Sequence, residues 1–248
     1  MRTQSMDTRP EAEQFQIALL RKTPLIKRFR RTADILDAVI PLLQIFEQMD
    51  IISYIQGEIA IAVYGMQRGV THIELVADVQ MKHVISLAAK LETIYSFDIG
   101  EIRTAVNRRA TFSGVHRDAL IKLTVFLTKG HPFDQEVLRR VQTHVLVESK
   151  PPFYLASPED IILRQLEAYR KSSGRDGNGW TALLGILKMQ GTPLDLTYLQ
   201  PWTHVIDLPY QQQWTSPLDF TYLQQWATTL EVADLLEKAL IDAGIKGE

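Results

Sequence analysis

RGVTHIELVAD, Arg68 to Asp78, is read here as a turn that leads into a strand. Residues two apart on a strand share a face, so His72 and Glu74 point the same way while Ile73, Leu75 and Ala77 point the other. That pattern places two polar, chemically capable side chains on one face of the strand. Outward from this strand the order is regular. IISYIQGEIAIAVYG reads as a short strand, a turn at Gly57 and an apolar helix ending at Gly65. After the strand, Met81–Ser96 reads as a helix. RRATFSGVHRDALIKLTVFLT supplies two β-rich runs about a turn near Arg117 and Asp118.

The 248 residues suffice for one or two domains with a sizeable core. Hydrophobic residues make up 46% and charged residues 23%, the composition of a soluble globular protein. There is no cysteine, which excludes disulfides and thiolate zinc sites. No apolar run reaches the ~18 residues of a membrane helix. The polar start MRTQSMDTRPEAEQ lacks the apolar centre of a secretory signal. The expectation is a soluble, cytoplasmic protein with no membrane partner.

Charge is unevenly spread. Residues 1–31 hold eight Lys and Arg against three acids, a net of +5, and 191–248 hold eight acids against Lys238 and Lys246, a net of −6. Such asymmetry steers partners or favours association of like chains, or it reflects solvated faces only. The basic arm 1–31 contains QFQIALLRKTPLIKRFRR, whose interleaved apolar residues suit docking on the body of the protein. Binding of nucleic acid is the other reading.

Thr32–Asp50 repeats apolar residues at helical spacing: Ile35, Val39, Leu42, Leu43 and Phe46. Further helices are expected around Glu136–Arg140 and Pro158–Arg170, with SSGRDGNG (172–179) as a helix connector. The C-terminal half carries a duplication. PLDLTYLQPW (Pro193–Trp202) returns as PLDFTYLQQW (Pro217–Trp226), 24 residues later and identical at eight of ten positions. Asp195 and Asp219 are natural N-caps, and Pro201 should cut the first helix short.

YLASPEDIILRQLEAYR (Tyr154–Arg170), GWTALLGILKMQGTPLD and LDFTYLQQWATTLEVADLLEKAL together resemble bacterial proteins of the nucleotidyltransferase superfamily, of the antitoxin-like and uncharacterised type. The resemblance spans roughly Ile40 to Ala243. It implies an α+β fold, with a small mixed sheet and helices over 32–150, a helical C-terminal domain over 151–248, and a cleft between them. It also implies a chemistry. In that superfamily a Gly-Ser turn at a helix start holds nucleotide phosphates through backbone N–H groups. An Asp-x-Asp pair on a strand and a third aspartate from a neighbouring strand bind two Mg²⁺, which clamp the attacking and leaving oxygens.

This chain departs at each point. The turn reads Gln56-Gly57-Glu58, which sets a carboxylate where triphosphate oxygens would lie. His72 and Glu74 stand for the aspartate pair, and Thr124, in Lys122-Leu123-Thr124, stands for the third. A family lysine stands as Gln165, and an aspartate expected soon after Trp180 stands as Ala182. The expectation is a degenerate nucleotidyltransferase-like module, non-catalytic, without a cofactor, that binds a protein partner or a second copy of itself. The alternative is a divergent Mg²⁺-dependent enzyme that transfers NMP from an NTP. Glu74 would be its remaining metal ligand, Gly57 and Glu58 would lie at the phosphate turn, and Arg68 and Lys122 would grip the nucleotide.

Three other sites are weighed. Glu58 with Glu74 is a geometrically possible metal pair, whereas Glu74 and Asp78 lie about 13 Å apart along a strand. His72, Glu74 and His116 have the residue types of a zinc site. Ser113 and His116 in FSGVH form a short Ser–His motif. Arg68 with Lys122 and Arg103 suits an anion, and a salt bridge from Arg68 to Glu74 or Glu58 is the plain alternative.

Overall fold

Alternation on the strands decides which side of the sheet is core. In the computed structural model, which describes residues 17–18, 32–65, 70–144, 152–191 and 218–246, Ile73, Leu75, Phe112, Leu123 and Val125 are all at most 1% exposed. Their neighbours His72, Glu74, Ser113, Lys122 and Thr124 remain open to solvent in part or in full. The strands are β1 (Ser53–Gln56), β2 (His72–Ala77), β3 (Tyr95–Phe97), β4 (Thr111–His116), β5 (Lys122–Leu127), β6 (Gln142–His144) and β7 (Phe153–Leu155). They form one mixed sheet in the order β3-β4-β5-β2-β1-β7-β6. β2 runs parallel to β5 and antiparallel to β1, and β1 runs parallel to β7. The fold is α+β.

Helix α1 (Thr32–Gln48) follows from its apolar spacing. Ile35, Val39, Leu42 and Phe46 are buried, and each such side chain contributes about 1.5–3 kcal/mol. α2 (Gly57–Tyr64) follows β1 without a break. The expected helix Met81–Ser96 is instead three elements: a 3₁₀ turn (Met81–His83), α3 (Val84–Leu91) and β3. Tertiary packing overrides local propensity there. Tyr95 is fully buried, pairs with His116 of β4, and donates its hydroxyl to the Ala38 carbonyl of α1 at 2.8 Å. Burial pushes its phenol well above the ordinary range.

α4 (Ile99–Arg108) has no counterpart among the expected elements, although its start is signalled. The Asp98 carboxylate accepts the Glu101 N–H at 2.8 Å. α5 (Pro132–Arg140) and α6 (Pro158–Lys171) occupy the expected regions. The stretch 172–179 is a connector only at its start, because α7 (Gly177–Gly191) already includes its last three residues. α8 (Phe220–Thr229) begins where expected, with Asp219 accepting the Tyr222 N–H at 2.9 Å. α9 (Ala233–Asp242) completes the described helices. The first copy of the duplication and its cap Asp195 lie outside the described residues. So does the basic arm apart from Ile17 and Ala18, which are helical and buried.

Among the described residues the chain divides into two compact units, one within 25–63 and 68–161 and the other within 1–24, 64–67 and 162–248. The division falls inside α6. In the second unit Trp180 donates its indole N–H to Asp242 at 3.1 Å, Lys238 sits 4.5 Å over the Trp180 ring, and Tyr169 packs 4.6 Å from it. Gln190, buried, donates to the Tyr64 carbonyl at 2.7 Å.

Candidate functional site

The polar face of the first unit is built by register. Gln56 of β1 pairs with Glu74 of β2, Glu74 with Thr124 of β5, and Thr124 with Ser113 of β4. Directly paired residues point to the same side. Four polar side chains therefore form one row across four strands. A second row lies beside it, with His72 opposite Lys122 and Lys122 opposite Val115.

At the end of these rows stands the β1–α2 turn. Gly57 has φ +66°, a conformation that costs side-chain-bearing residues about 1–2 kcal/mol. The position is also crowded. A Cβ on Gly57 would overlap the Glu74 carboxylate and come within 2.7 Å of its Cδ. Glycine is needed here for the turn and for the close approach of Glu74.

Glu58, in the first turn of α2, turns its carboxylate toward the start of β2. It accepts the Thr71 N–H at 2.6 Å, the Thr71 hydroxyl at 3.1 Å and the His72 N–H at 3.3 Å. Its oxygen also lies 3.4 Å from His72 Nδ1. The other ring nitrogen, Nε2, is 2.9 Å from Glu74 Oε1. One imidazole thus bridges two carboxylates. Side-chain exposures of 34%, 31% and 25% for His72, Glu58 and Glu74 leave the cluster in contact with solvent. A neutral ring donates to only one carboxylate, whereas an imidazolium donates to both.

The Thr124 position is also closed. Thr124 Oγ1 and Ser113 Oγ are 3.1 Å apart and form a hydroxyl pair. A two-Mg²⁺ site needs several hard oxygen ligands free to converge. Here one carboxylate is held by an imidazole, one by backbone N–H groups, and the third position is a neutral hydroxyl with a partner. The donor set does not fit two Mg²⁺ ions. Among the described residues no group of three or more His, Asp or Glu side chains is placed to hold a metal.

The expected residues separate accordingly. Gly57, Glu58, His72, Glu74, Lys122 and Thr124 come together at one end of the sheet. Arg68 lies outside the described residues. Arg103 is exposed on α4, which packs against β4 through buried Ile102, Ala105 and Val106. It does not join Lys122. The zinc grouping is corrected by strand parity. His116 shares the buried face of β4 with Phe112 and packs edge-on against Tyr95 at 5.2 Å, opposite to the face of His72. The same parity separates Ser113 from His116, so FSGVH makes no Ser–His pair. Sequence reasoning passed over Thr71 and gave Gln56 no role beyond the turn. Their contribution depends on pairing and on the reach of Glu58, neither of which leaves a local motif.

The other end of β2 holds a second polar group. Asp78 Oδ1 accepts from Arg109 at 3.0 Å and from the Thr128 hydroxyl at 3.1 Å. Burial raises the Asp78 carboxyl, but hydrogen bonds from Arg109, Gln80 and Thr128, with the guanidinium charge, outweigh it. The carboxyl is held below its usual range.

No family model and no curated protein matches the chain. Solved structures similar to it include an antigenic nucleotidyltransferase-like protein from Paracoccidioides brasiliensis, 16% identical, covering 75% of this chain and 96% of that one, with a TM-score of 0.45. The lincosamide antibiotic adenylyltransferase LnuA, lincomycin-bound, is 13% identical over 62% of this chain and 97% of its own, with a TM-score of 0.43. Terminal uridylyl transferase 4 from Trypanosoma brucei, with bound CTP, is 13% identical over 91% and 71%, with a TM-score of 0.33. The roles of the residues rest on the site itself.

Proposed function

We propose that this chain is a degenerate nucleotidyltransferase-like protein that serves as a non-catalytic binding or regulatory module. The observation that carries this reading is the His72 imidazole lodged between Glu58 and Glu74. In a working transfer site the turn at Gly57 would receive phosphate oxygens and the strand would present carboxylates to metal. Here a carboxylate from the turn already takes the backbone N–H groups at the start of β2. Two acids at the turn repel a triphosphate, and the Thr124–Ser113 pair supplies no anionic ligand. Losing two of three metal carboxylates removes several kcal/mol of transition-state stabilisation.

Calorimetric titration of the full chain with each NTP, with and without Mg²⁺, tests the proposal. The expected result is no saturable, metal-dependent heat at millimolar nucleotide. A saturating isotherm for one nucleotide that requires Mg²⁺ overturns it. That outcome favours the second reading, a divergent transferase, which the retained positive-φ Gly57 supports. In that case Glu74→Gln should abolish the metal dependence.

A further inference from the structure

Three large apolar side chains of the first unit stand out in solvent where two of its connections meet: Ile52 at 62% exposure, Met81 at 48% and Ile85 at 70%. Met81 and Ile85 are four residues apart, across the 3₁₀ turn and the first turn of α3, and so share one side of that stretch. Ile52 follows α1, and its carbonyl accepts the Asp78 N–H at 3.0 Å, which holds it beside the entry to the same turn. The His83 imidazole lies within reach of the charges of both Lys82 and Asp50, so the two stretches meet there as well. Val84, Leu87 and Leu91 already fill the core side of α3. The outer three side chains add nothing to that core, and a group of exposed apolar residues marks a surface for association.

The two stretches carry opposite charge. Thr32–Ile52 holds four acids and no Lys or Arg, whereas Met81–Leu91 holds Lys82 and Lys90 and no acid. Of these, Glu47, Asp50, Lys82 and Lys90 are exposed. Lys90 donates to Gln48 at 3.2 Å, which ties the end of α3 to the end of α1. A membrane surface or a nucleic acid selects for cations throughout. Here acids line one side of the apolar group and lysines the other. A half-turn about an axis through the apolar side chains brings the acid side over the lysine side, so the surface is complementary to itself.

We propose that this surface is a two-fold interface between two copies of the chain. Ile52 of one copy packs on Met81 and Ile85 of the other, while Glu47 and Asp50 face Lys82 and Lys90. The interface lies at the Asp78 end of β2, about 20 Å along the strand from His72. It does not depend on what the His72 face binds, and nucleotide titration leaves it untouched.

Sedimentation equilibrium of the full chain up to millimolar concentration tests this. The expected result is a monomer–dimer equilibrium with no larger species. Ile85→Glu should weaken association at least about tenfold with the melting temperature of the monomer unchanged, because the side chain is exposed there. Ile52→Glu repeats the test on the other stretch. Glu47→Lys and Lys82→Glu each set like charges across the axis, so each should weaken self-association. Mixed in equal amounts, these two chains should pair again, because each then meets its opposite. Four results overturn the proposal: a chain that stays monomeric, species that keep growing with concentration, a dimer that Ile85→Glu and Ile52→Glu leave intact, or charge-reversed chains that gain nothing on mixing.

Discussion

At one end of β2, Glu58 and Glu74 share the imidazole of His72. At the other, Asp78 has the guanidinium of Arg109 and the hydroxyl of Thr128 to itself. Both ends use the same strand and the same kind of acid, but the counter-charge differs. A guanidinium is charged at every accessible pH, and here it holds the Asp78 carboxyl low. An imidazole brings at most one positive charge to two carboxylates. The Asp78 end therefore reads as a structural clamp between the ends of β2, β4 and β5. The His72 end is a group of acids gathered by a turn and a register around a single imidazole.

The contrast can be broken most directly at Gly57. Gly57→Ala should cost about 2–3 kcal/mol in urea denaturation, from the positive-φ backbone and displacement of Glu74. Adding Glu74→Ala should recover the displacement part only. If Gly57→Ala were neutral, the turn would not be holding the carboxylate in place.

Glu58→Ala comes next. It leaves the N–H groups of Thr71 and His72 without their carboxylate acceptor and should cost about 1–2 kcal/mol. Glu58→Gln keeps an acceptor and should lose less, and equal losses would make charge the main contribution.

The face can also be asked to accept a metal. His72→Asp combined with Thr124→Asp places two more acids beside Glu74. The double variant should melt lower than the parent without metal. It should gain about 1 kcal/mol when Mg²⁺ is roughly five times its Kd, as binding to the folded state requires. The parent chain should show no such gain in the same scan.

The smallest effect belongs to the clamp. Arg109→Ala should cost at most about 1 kcal/mol at neutral pH, since both partners are partly exposed. The sign of its pH dependence follows from the depressed Asp78 carboxyl. Its contribution is present above the carboxyl's unfolded value near 4 and is lost as pH falls through the lower folded value. Parent and variant should converge in acid, and denaturation curves at a series of pH values check this.

Much of the fold was legible because periodicity and punctuation agree. The spacing of Ile35, Val39, Leu42 and Phe46, the break at Gly57, the alternation along His72–Ala77 and the cap at Asp219 each have a local physical cause. What failed was the end of Met81–Ser96, the helix α4 and the strands β6 and β7. Three-residue strands carry almost no periodic signal, and Tyr95 leaves the helical pattern because a carbonyl of α1 and a strand partner are both waiting for it. The candidate site was legible in composition but not in contact. His72, Glu74, Thr124 and Glu58 were all visible as residues in unusual places.

The sequence alone determined the α+β class, the face that β2 presents and the absence of thiol chemistry. Those are properties of residue type and of spacing along the chain. Tertiary structure decided that Glu58 reaches back to Thr71 and His72, that Ser113 satisfies Thr124, and that His116 faces away. Such facts depend on which strands become neighbours and in what register, and a shift of one residue would reverse them.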